Sequence, residues 1–513
     1  MIGTVLEGRR SFPPFAGGGT FAVPGGGALW RGTAAALLCA GLVGCDDVGA
    51  SAASAQPLSP AAALGKALFL DAGLSASGRQ SCATCHVATR AFVEDPATDL
   101  GLPVPLGGLN MDLPGFRNTP SLMYASFTPP FSIDASGTPS GGFFRDGRAS
   151  SLAVQAEQPF VSPFEMANRD AAEVIERLKA SAERAPFEAL YGAEVLDDPP
   201  TALRDMGLAI AAFETEDASF HPFSSKFDYW LAGKTQLTAQ ELRGLALFND
   251  PAKGNCTACH PSQPQGFGQH ALFTDFTYDN VGIPRNWNIP ANAPTPSSPV
   301  SGAPLDYVPA NGNLPADAEY GFYDLGLCGP FQPPPNDFEP RPLLSATPAL
   351  CGYFKVPTLR NVAVTAPYFH NGVFGSLRQV LEWYVSRDIN DNPGNNPSPI
   401  AAGAPGGNPY APAGTFYTAA DGTPDLYEYN DLPVDFDANV NIGEVPYTPP
   451  ASAGGQAPTL DASEIADVIA FLCALTDGYD PSDPTTSAVP EQCQPGALGD
   501  LVPGPARAGA PAR

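Results

Sequence analysis

The chain has 513 residues, which is enough for two or more domains that each bury a sizeable core. Hydrophobic residues make up 43% and charged residues 15%, while 58 prolines and 53 glycines indicate long irregular loops around a folded core rather than general disorder. The formal net charge of −27 argues against binding to nucleic acid or to an anionic membrane surface.

The N-terminal residues 1–45 resemble a bacterial export signal, because a basic residue precedes a short apolar run at residues 33–43. Residues 42–45 resemble a lipobox, in which Cys45 would carry the lipid; the alternative is an ordinary cleaved signal peptide. No other stretch is long and apolar enough to span a bilayer. We therefore predict a signal peptide, a linker at residues 46–56, and a periplasmic protein that meets the membrane only through a lipid on Cys45.

Two C-x-x-C-H motifs, at residues 82–86 and 256–260, have the spacing used for covalent haem attachment. Both thiols can bond one haem, and the histidine that follows is placed to bind its iron. A zinc half-site or a redox dithiol is the alternative, but neither needs the histidine. The predicted haem residues are Cys82, Cys85 and His86 for the first haem, and Cys256, Cys259 and His260 for the second.

Four further cysteines remain outside the signal and the haem motifs. In an oxidising compartment they are expected to form two disulfides. Proximity along the chain favours Cys328–Cys351 and Cys473–Cys493, although three connectivities are possible.

Helix signals dominate the chain, and strand signals are few. A similar apolar-striped helix ending in Leu-Phe precedes each haem motif, at residues 60–70 and 240–248. Further helices are predicted over residues 170–184, 203–214 and 463–475. Helix starts are marked by Ser59 before Pro60 and by capping boxes at Thr238/Glu241, Ser376/Gln379 and Asp461/Glu464.

The repeated helix and motif predict a mainly α fold, with two cytochrome c-like haem domains, long irregular loops and insertions. Segments rich in Pro, Gly, Asn and Ala are interpreted as surface insertions. The C-terminal tail carries one of the four further cysteines, Cys493, which is expected to be its only tie. The predicted segments are an N-terminal haem domain at 57–232, a C-terminal haem domain at 233–479 with insertions at 287–350 and 390–457, and a tail at 480–513.

The positions of methionine and histidine along the chain predict different far-side ligands for the two haem irons. No methionine follows Met206, so a His/Met haem in the C-terminal half lacks a local methionine. The remaining candidates there are His270, His370 and the tyrosines. No histidine lies between His86 and His221, so the far side of the first haem is expected to be open, and peroxide or oxygen could bind there.

Three motifs then resemble the bacterial dihaem cytochrome c peroxidase and MauG family. They are Arg-Asn-Thr-Pro at residues 117–120, Gly-Phe-Phe-Arg-Asp-Gly-Arg-Ala at residues 142–149, and the run from Phe354 to Gly372. The resemblance covers roughly residues 57–478 apart from the two insertions. It implies that the first haem reacts with peroxide and that the second passes or stores oxidising equivalents.

The resemblance assigns Gln155 and Glu165 to the pocket on the far side of the first haem. A positioned carboxylate can move a proton between the two oxygens of peroxide; the alternative for Glu165 is a solvated surface acid. The loop at residues 98–116, where many of the peroxidases hold a gating histidine, has none. The first haem is therefore expected to be five-coordinate and to need no reductive activation.

For the second haem, the family ligand lies fourteen residues after the histidine of Ala-Pro-Tyr-Phe-His, which gives Tyr384 when counted from His370. The family has methionine at this position in ordinary peroxidases and tyrosine in MauG. The alternative is that Tyr384 is a packed helix aromatic.

The resemblance also implies a calcium ion between the haems. The matching donors are the Asn118 side chain and the carbonyls of Thr365 and Pro367. One departure from the family concerns Arg145, which stands where the family usually has tryptophan, so electron hopping through that position is in doubt. Arg145 could instead pair with a haem propionate.

The predicted function is that of an exported dihaem peroxidase, which reduces hydrogen peroxide with electrons from a small donor protein such as a cytochrome c or a cupredoxin. A MauG-like enzyme that oxidises residues of a partner protein is the first alternative. A non-enzymatic electron-transfer cytochrome is the second.

Overall fold

The structure, a computed structural model, describes most of the chain beyond residue 56. The predicted signal peptide with Cys45 and the predicted linker at 46–56 lie outside the described residues. Those residues are 57–96, 98–264, 269–292, 296–305, 323–328, 347–387, 416–418, 424–426, 431–432, 434–447, 458–487 and 489–494.

Helices begin where side chains accept hydrogen bonds from the first free backbone amides. The Ser59 hydroxyl accepts one from the Ala62 amide, 3.1 Å away. Thr238, Ser376 and Asp461 each form the capping box that the sequence predicts. These four predicted helix starts are therefore confirmed.

The described secondary structure is mainly helical, which confirms the predicted fold class. The segment predicted as one helix over residues 170–184 is split, because the backbone is extended at Ser181. The helix predicted from residue 203 begins at Pro199, since proline suits the first turn. The helices are α1 Pro60–Leu70, α2 Cys82–Cys85, α3 Leu152–Val161, α4 Ala171–Ala180, α5 Arg184–Tyr191, α6 Pro199–Glu216, α7 Lys226–Leu231, α8 Ala239–Asn249, α9 Leu377–Ser386 and α10 Ala462–Cys473.

The described strands form short antiparallel pairs. The pair of Tyr278 with Lys355 joins the segment after the second haem motif to the start of the run 354–372. The Lys355 amide also donates to the Arg145 carbonyl at 2.8 Å, which anchors the Gly-Phe-Phe-Arg motif against the C-terminal half. The pairs are β1 Leu106–Gly107 with β2 Leu113–Pro114, β3 Ser132–Ile133 with β4 Pro139–Ser140, β5 Tyr278–Asp279 with β6 Phe354–Lys355, and β7 Phe416–Thr418 with β8 Pro424–Leu426.

The two repeated helices, α1 and α8, pack in the same way. α1 lies against α6, and a Cβ at Gly65 would collide with the Ala209 carbonyl. α8 lies against α10, and a Cβ at Gly244 would collide with the Asp467 carbonyl. Both glycines open the same Gly-x-Ala-Leu-Phe sequence, so each permits a close helix crossing at the same place in the repeat. This shared packing supports the predicted duplication.

Two large hydrophobic clusters hold the two haem motifs. Phe69 packs edge-on against Phe213 in the first cluster, against which Cys82 also packs. Phe248 packs edge-on against Phe471 in the second, against which Cys256 packs. Each motif is thus fixed to its own core, while the domain boundary at 232/233 stays a prediction.

The two predicted insertions contain both buried and exposed residues. In segment 287–350, Ile289 is 1% exposed and packs with Phe116, and Leu325 is fully buried with the Cys328–Cys351 disulfide. In segment 390–457, Tyr447 is buried. The interpretation as surface segments therefore fails for these buried residues, whereas residues 299–304 and 442–444 are exposed.

Both disulfides predicted from proximity, Cys328–Cys351 and Cys473–Cys493, are present. The tail is held by more than Cys493, contrary to the prediction. The Gln492 carboxamide accepts from the Leu377 amide at 2.6 Å and donates to the Tyr368 hydroxyl at 2.7 Å. The tail therefore caps α9 as well as closing a disulfide.

None of the described helices combines the length and the apolar character required to cross a bilayer.

Candidate active site

The two motif histidines are oriented in the same way. The Nδ1 atom of His86 lies 2.8 Å from the Phe92 carbonyl, and that of His260 lies 2.8 Å from the Phe273 carbonyl. A carbonyl oxygen only accepts, so Nδ1 must carry the hydrogen in both rings. Each Nε2 therefore keeps a free lone pair, which is the arrangement that an iron ligand requires.

The protonation states of the motif residues also suit haem attachment. Burial lowers the pKa of His86 to about 4, against the opposing effect of its hydrogen bond to the Phe92 carbonyl, so the ring is neutral at physiological pH. Burial likewise lowers the pKa of His260. The four motif cysteines are free thiols rather than members of a disulfide. Thioether formation needs such thiols, so the residues present fit two covalently held haems.

One continuous cavity of about 480 Å³ is lined by residues of both motifs, including His86 and His260. A second cavity of about 50 Å³ lies beside the first motif and is lined by Cys82, Cys85 and His86. The two predicted haem sites therefore face one connected interior space.

Gln155 and Glu165 both line the two cavities, so the structure brings these predicted residues to the first motif. Gln155 lies on α3, and Glu165 follows it in a loop where the Glu165 carbonyl accepts from the Gly108 amide at 2.9 Å. Burial raises the pKa of the Glu165 carboxyl, while Ser162 and Arg148 act in the opposite direction. A raised pKa makes the ionised carboxylate a stronger proton acceptor. Their catalytic roles stay predictions.

Tyr384 lines the large cavity from α9, on the side of the second motif. Its ring stacks on Tyr447, with 5.4 Å between centroids and 27° between planes. The guanidinium of Arg387 lies 3.9 Å from the centroid of the Tyr447 ring. Burial raises the pKa of both phenols. Sequence reasoning missed Tyr447, because it belongs to a segment interpreted as a surface insertion.

The competing histidines are engaged elsewhere. His370 lines the cavity, but its Nε2 lies 3.1 Å from Asp431 and its ring stacks on Phe354 at 3.6 Å. His270 pairs with Asp228 through Nδ1 at 3.2 Å and is not among the residues that line this cavity. Its place in the cavity favours Tyr384 over His270, while His370 keeps its second ring nitrogen, so ligation by Tyr384 stays a prediction.

Comparison with known proteins agrees with two haem sites in this chain. The model of the di-haem cytochrome c peroxidase family matches residues 59–236. The methylamine utilization protein MauG of Paracoccus denitrificans is 40% identical over 336 residues, which cover 65% of this chain and 76% of that protein. This chain belongs to the di-haem cytochrome c peroxidase and MauG family. It is therefore a peroxidase-type oxidoreductase with two c-type haems.

The chain is also similar to other di-haem peroxidases. Cytochrome c551 peroxidase of Nitrosomonas europaea is 29% identical over 326 residues, covering 63% of this chain and 71% of that protein. The solved structure of the diheme peroxidase BthA from Burkholderia thailandensis E264 is 31% identical, with a TM-score of 0.63. That match covers 85% of this chain and 91% of BthA. Family members are periplasmic.

The calcium site that the family resemblance implies does not fit the residues present. Asn118, Thr365 and Pro367 all line the large cavity. However, Arg145 donates from Nη2 to the Asn118 side-chain oxygen at 2.7 Å and from Nε to the Asn118 carbonyl at 3.1 Å. Both oxygens of Asn118 thus already face a cation.

The guanidinium of Arg145 binds Asn118 through Nε and Nη2, and its pairing with a haem propionate stays a prediction. Its neighbour Arg117 pairs with Asp146 at 2.8 Å and with Asp324 at 2.5 Å. Asp324 was also missed by sequence reasoning, since it lies in the predicted insertion 287–350. Nothing local marks it as a partner of Arg117.

Proposed function

We propose that this protein reduces hydrogen peroxide to water with electrons from a redox partner protein. The observation that supports this best is the position of Glu165 and Gln155 in the cavity at the first motif. A haem bound there supplies a redox-active iron at which peroxide can be reduced. Two electrons and two protons are needed per peroxide, so two molecules of a one-electron donor are consumed.

The residues of the chain provide the proton chemistry and the orientation. Glu165 accepts a proton from the bound peroxide and returns it to the departing oxygen, which would otherwise leave as hydroxide. Gln155 holds the substrate through its carboxamide. The Phe92 carbonyl holds Nδ1 of the His86 ring, so that Nε2 is the nitrogen that would bind a haem iron.

The chain charge suggests the kind of electron donor. With a net charge of −27, the surface suits a small basic partner such as a cytochrome c, or a cupredoxin with a basic docking face. The proposal includes export through residues 1–45 and a lipid anchor at Cys45 in the periplasm. It does not include a calcium ion at Asn118.

The direct test uses holoprotein made in a host with haem-attachment machinery. We expect peroxide-dependent oxidation of reduced c-type cytochrome, with two cytochromes oxidised for each peroxide consumed. Holoprotein with both haems attached that oxidises no donor would contradict the proposal. It would leave the electron-transfer cytochrome as the better interpretation if the haems still exchange electrons.

A MauG-like activity, the oxidation of residues in a partner protein, is the second candidate. The observation that favours it is Tyr384 in the cavity beside the second motif, in a chain without a methionine after Met206. A phenolate ligand donates charge and lowers the potential of an iron. Oxidised tyrosine or tryptophan in a partner, found after peroxide treatment, would identify this activity.

The Tyr384→Phe variant tests the ligand of the second haem. We expect it to change the low-spin electron paramagnetic resonance signal of that haem, because phenylalanine has no oxygen to bind iron. The matched control is Tyr447→Phe, which removes a hydroxyl from the ring stacked on Tyr384. A signal that is unchanged in Tyr384→Phe, or lost only in Tyr447→Phe, would refute ligation by Tyr384.

A further inference from the structure

The contact between Arg145 and Asn118 uses every oxygen that Asn118 offers. The guanidinium donates through two different nitrogens, Nη2 to the side-chain oxygen and Nε to the carbonyl. Asn118 is only 3% exposed, so bulk water has little access to its oxygens as an alternative hydrogen-bond partner. The result is a bidentate clamp of one residue by one organic cation.

This clamp lies where the two halves of the protein meet. The Asn118 amide donates to the His370 carbonyl at 2.8 Å, and the Arg145 carbonyl accepts from the Lys355 amide at 2.8 Å. Both partners belong to the run 354–372, in the half that carries the second motif. Arg145 therefore contacts the C-terminal half through its main-chain carbonyl, while its side chain binds Asn118, which contacts that half through its own amide.

A metal ion and this guanidinium would compete for the side-chain oxygen of Asn118. A guanidinium has five donors and no acceptor, so it can supply no ligand to calcium, which binds oxygen atoms. An arginine keeps its charge in proteins, so the competitor at Asn118 is a permanent cation. A divalent ion at Asn118 would have to displace one cation while lying close to a second, Arg117.

The acidic side chains near Arg145 also provide no site for a further cation. Asp146 and Asp324 are already paired with Arg117, and Asp146 also pairs with Arg148 at 3.1 Å. Burial raises the pKa of Glu94 to about 8, so this carboxyl group beside Arg145 is mostly protonated at pH 7. No unpaired carboxylate among these three acids is therefore left to bind a second cation beside Arg145.

We propose that the guanidinium of Arg145 takes the place of the interhaem calcium ion, so that the native protein binds no calcium at Asn118. The substitution of arginine for tryptophan would thus replace a metal ion by an internal cation. This inference concerns the cation between the haems and does not depend on which substrate is oxidised.

The first test is metal analysis of the native dihaem protein. Holoprotein is equilibrated with calcium chloride, freed of unbound ion by gel filtration, and analysed for calcium and iron. We expect calcium far below one ion per two irons, and no change in unfolding temperature or haem spectrum on treatment with EGTA. One retained calcium per two irons, or a lower unfolding temperature with EGTA, would overturn the proposal.

The second test frees Asn118. We expect Arg145→Gln holoprotein to gain at least about tenfold in calcium affinity, measured by titration, with one ion per chain by metal analysis. Arg145→Lys, which keeps a cation, should stay free of calcium. Arg79→Gln removes the same charge at an exposed arginine and should gain nothing.

The Arg145 variants also show whether the guanidinium is what excludes calcium. A folded Arg145→Gln protein that binds no more calcium than the native chain would show that the guanidinium is not what excludes the ion. If Arg145→Gln does not fold, the calcium content of Arg145→Lys and of the native protein still decides the question.

Discussion

We expect the Glu165→Gln variant to react with hydrogen peroxide ~10²–10⁴-fold more slowly than the native protein, because glutamine cannot accept and return the proton. Glutamine keeps the size of the side chain, so the cavity at the first motif should survive. The measurement is the rate of the haem absorbance change after rapid mixing with peroxide. The native rate should fall as the pH drops through the raised pKa of Glu165, since the acceptor must be ionised.

The control for this prediction is Glu176→Gln. Glu176 lies on α4 with 72% of its side chain exposed, and it is not among the residues that line either cavity. That variant should react at the native rate. If Glu165→Gln reacts at the native rate with the same pH profile, Glu165 has no part in proton transfer. Its raised pKa would then reflect burial alone.

The Arg360→Met variant should lose about 3–5 kcal/mol of the free energy of unfolding, because it removes the buried cation that pairs with the Asp228 carboxylate and leaves that carboxylate with Ser225 and the more exposed His270. Arg360 is 1% exposed and donates to both oxygens of Asp228, at 2.9 and 2.8 Å, and to the Ala271 carbonyl at 2.7 Å. Burial alone would raise the pKa of Asp228, but the charge and hydrogen bonds of Arg360, together with hydrogen bonds from Ser225, lower it. Denaturant unfolding of the holoprotein, followed by fluorescence, measures the loss.

Arg243→Met is the matched control for the buried pair. Arg243 also makes a two-point contact with a carboxylate, Asp467, but 60% of the Arg243 side chain is exposed, against 12% of the Asp467 side chain. Because water reaches this pair from the arginine side, the variant should lose clearly less of the free energy of unfolding than Arg360→Met. Equal losses in the two variants would show that burial of the Arg360 pair adds nothing to its effect.

Much of the local structure was predictable because its causes are local. Ser59, Thr238, Ser376 and Asp461 each mark a helix start, since a cap depends only on the next three residues. The disulfide pairs followed from nearness along the chain. Neither inference required knowledge of the rest of the fold.

The errors share a physical cause, which is that burial depends on distant residues. Tyr447 and Asp324 lie in segments whose composition is typical of loops, yet one stacks on Tyr384 and the other pairs with Arg117. Composition reports the flexibility of a segment, whereas packing decides which of its side chains become buried. Gln492 shows the same effect in the tail, where it caps a helix more than a hundred residues earlier.

The sequence by itself determined the covalent chemistry, because both thiols and the histidine of each haem motif lie within five consecutive residues. Motif order also led to the family. Only the tertiary structure decided what surrounds the haem positions: which residues share the cavity, which histidines are already engaged, and which cation Asn118 holds. Those properties depend on contacts between residues far apart in the chain, and Arg145 reaches Asn118 only after the chain has folded.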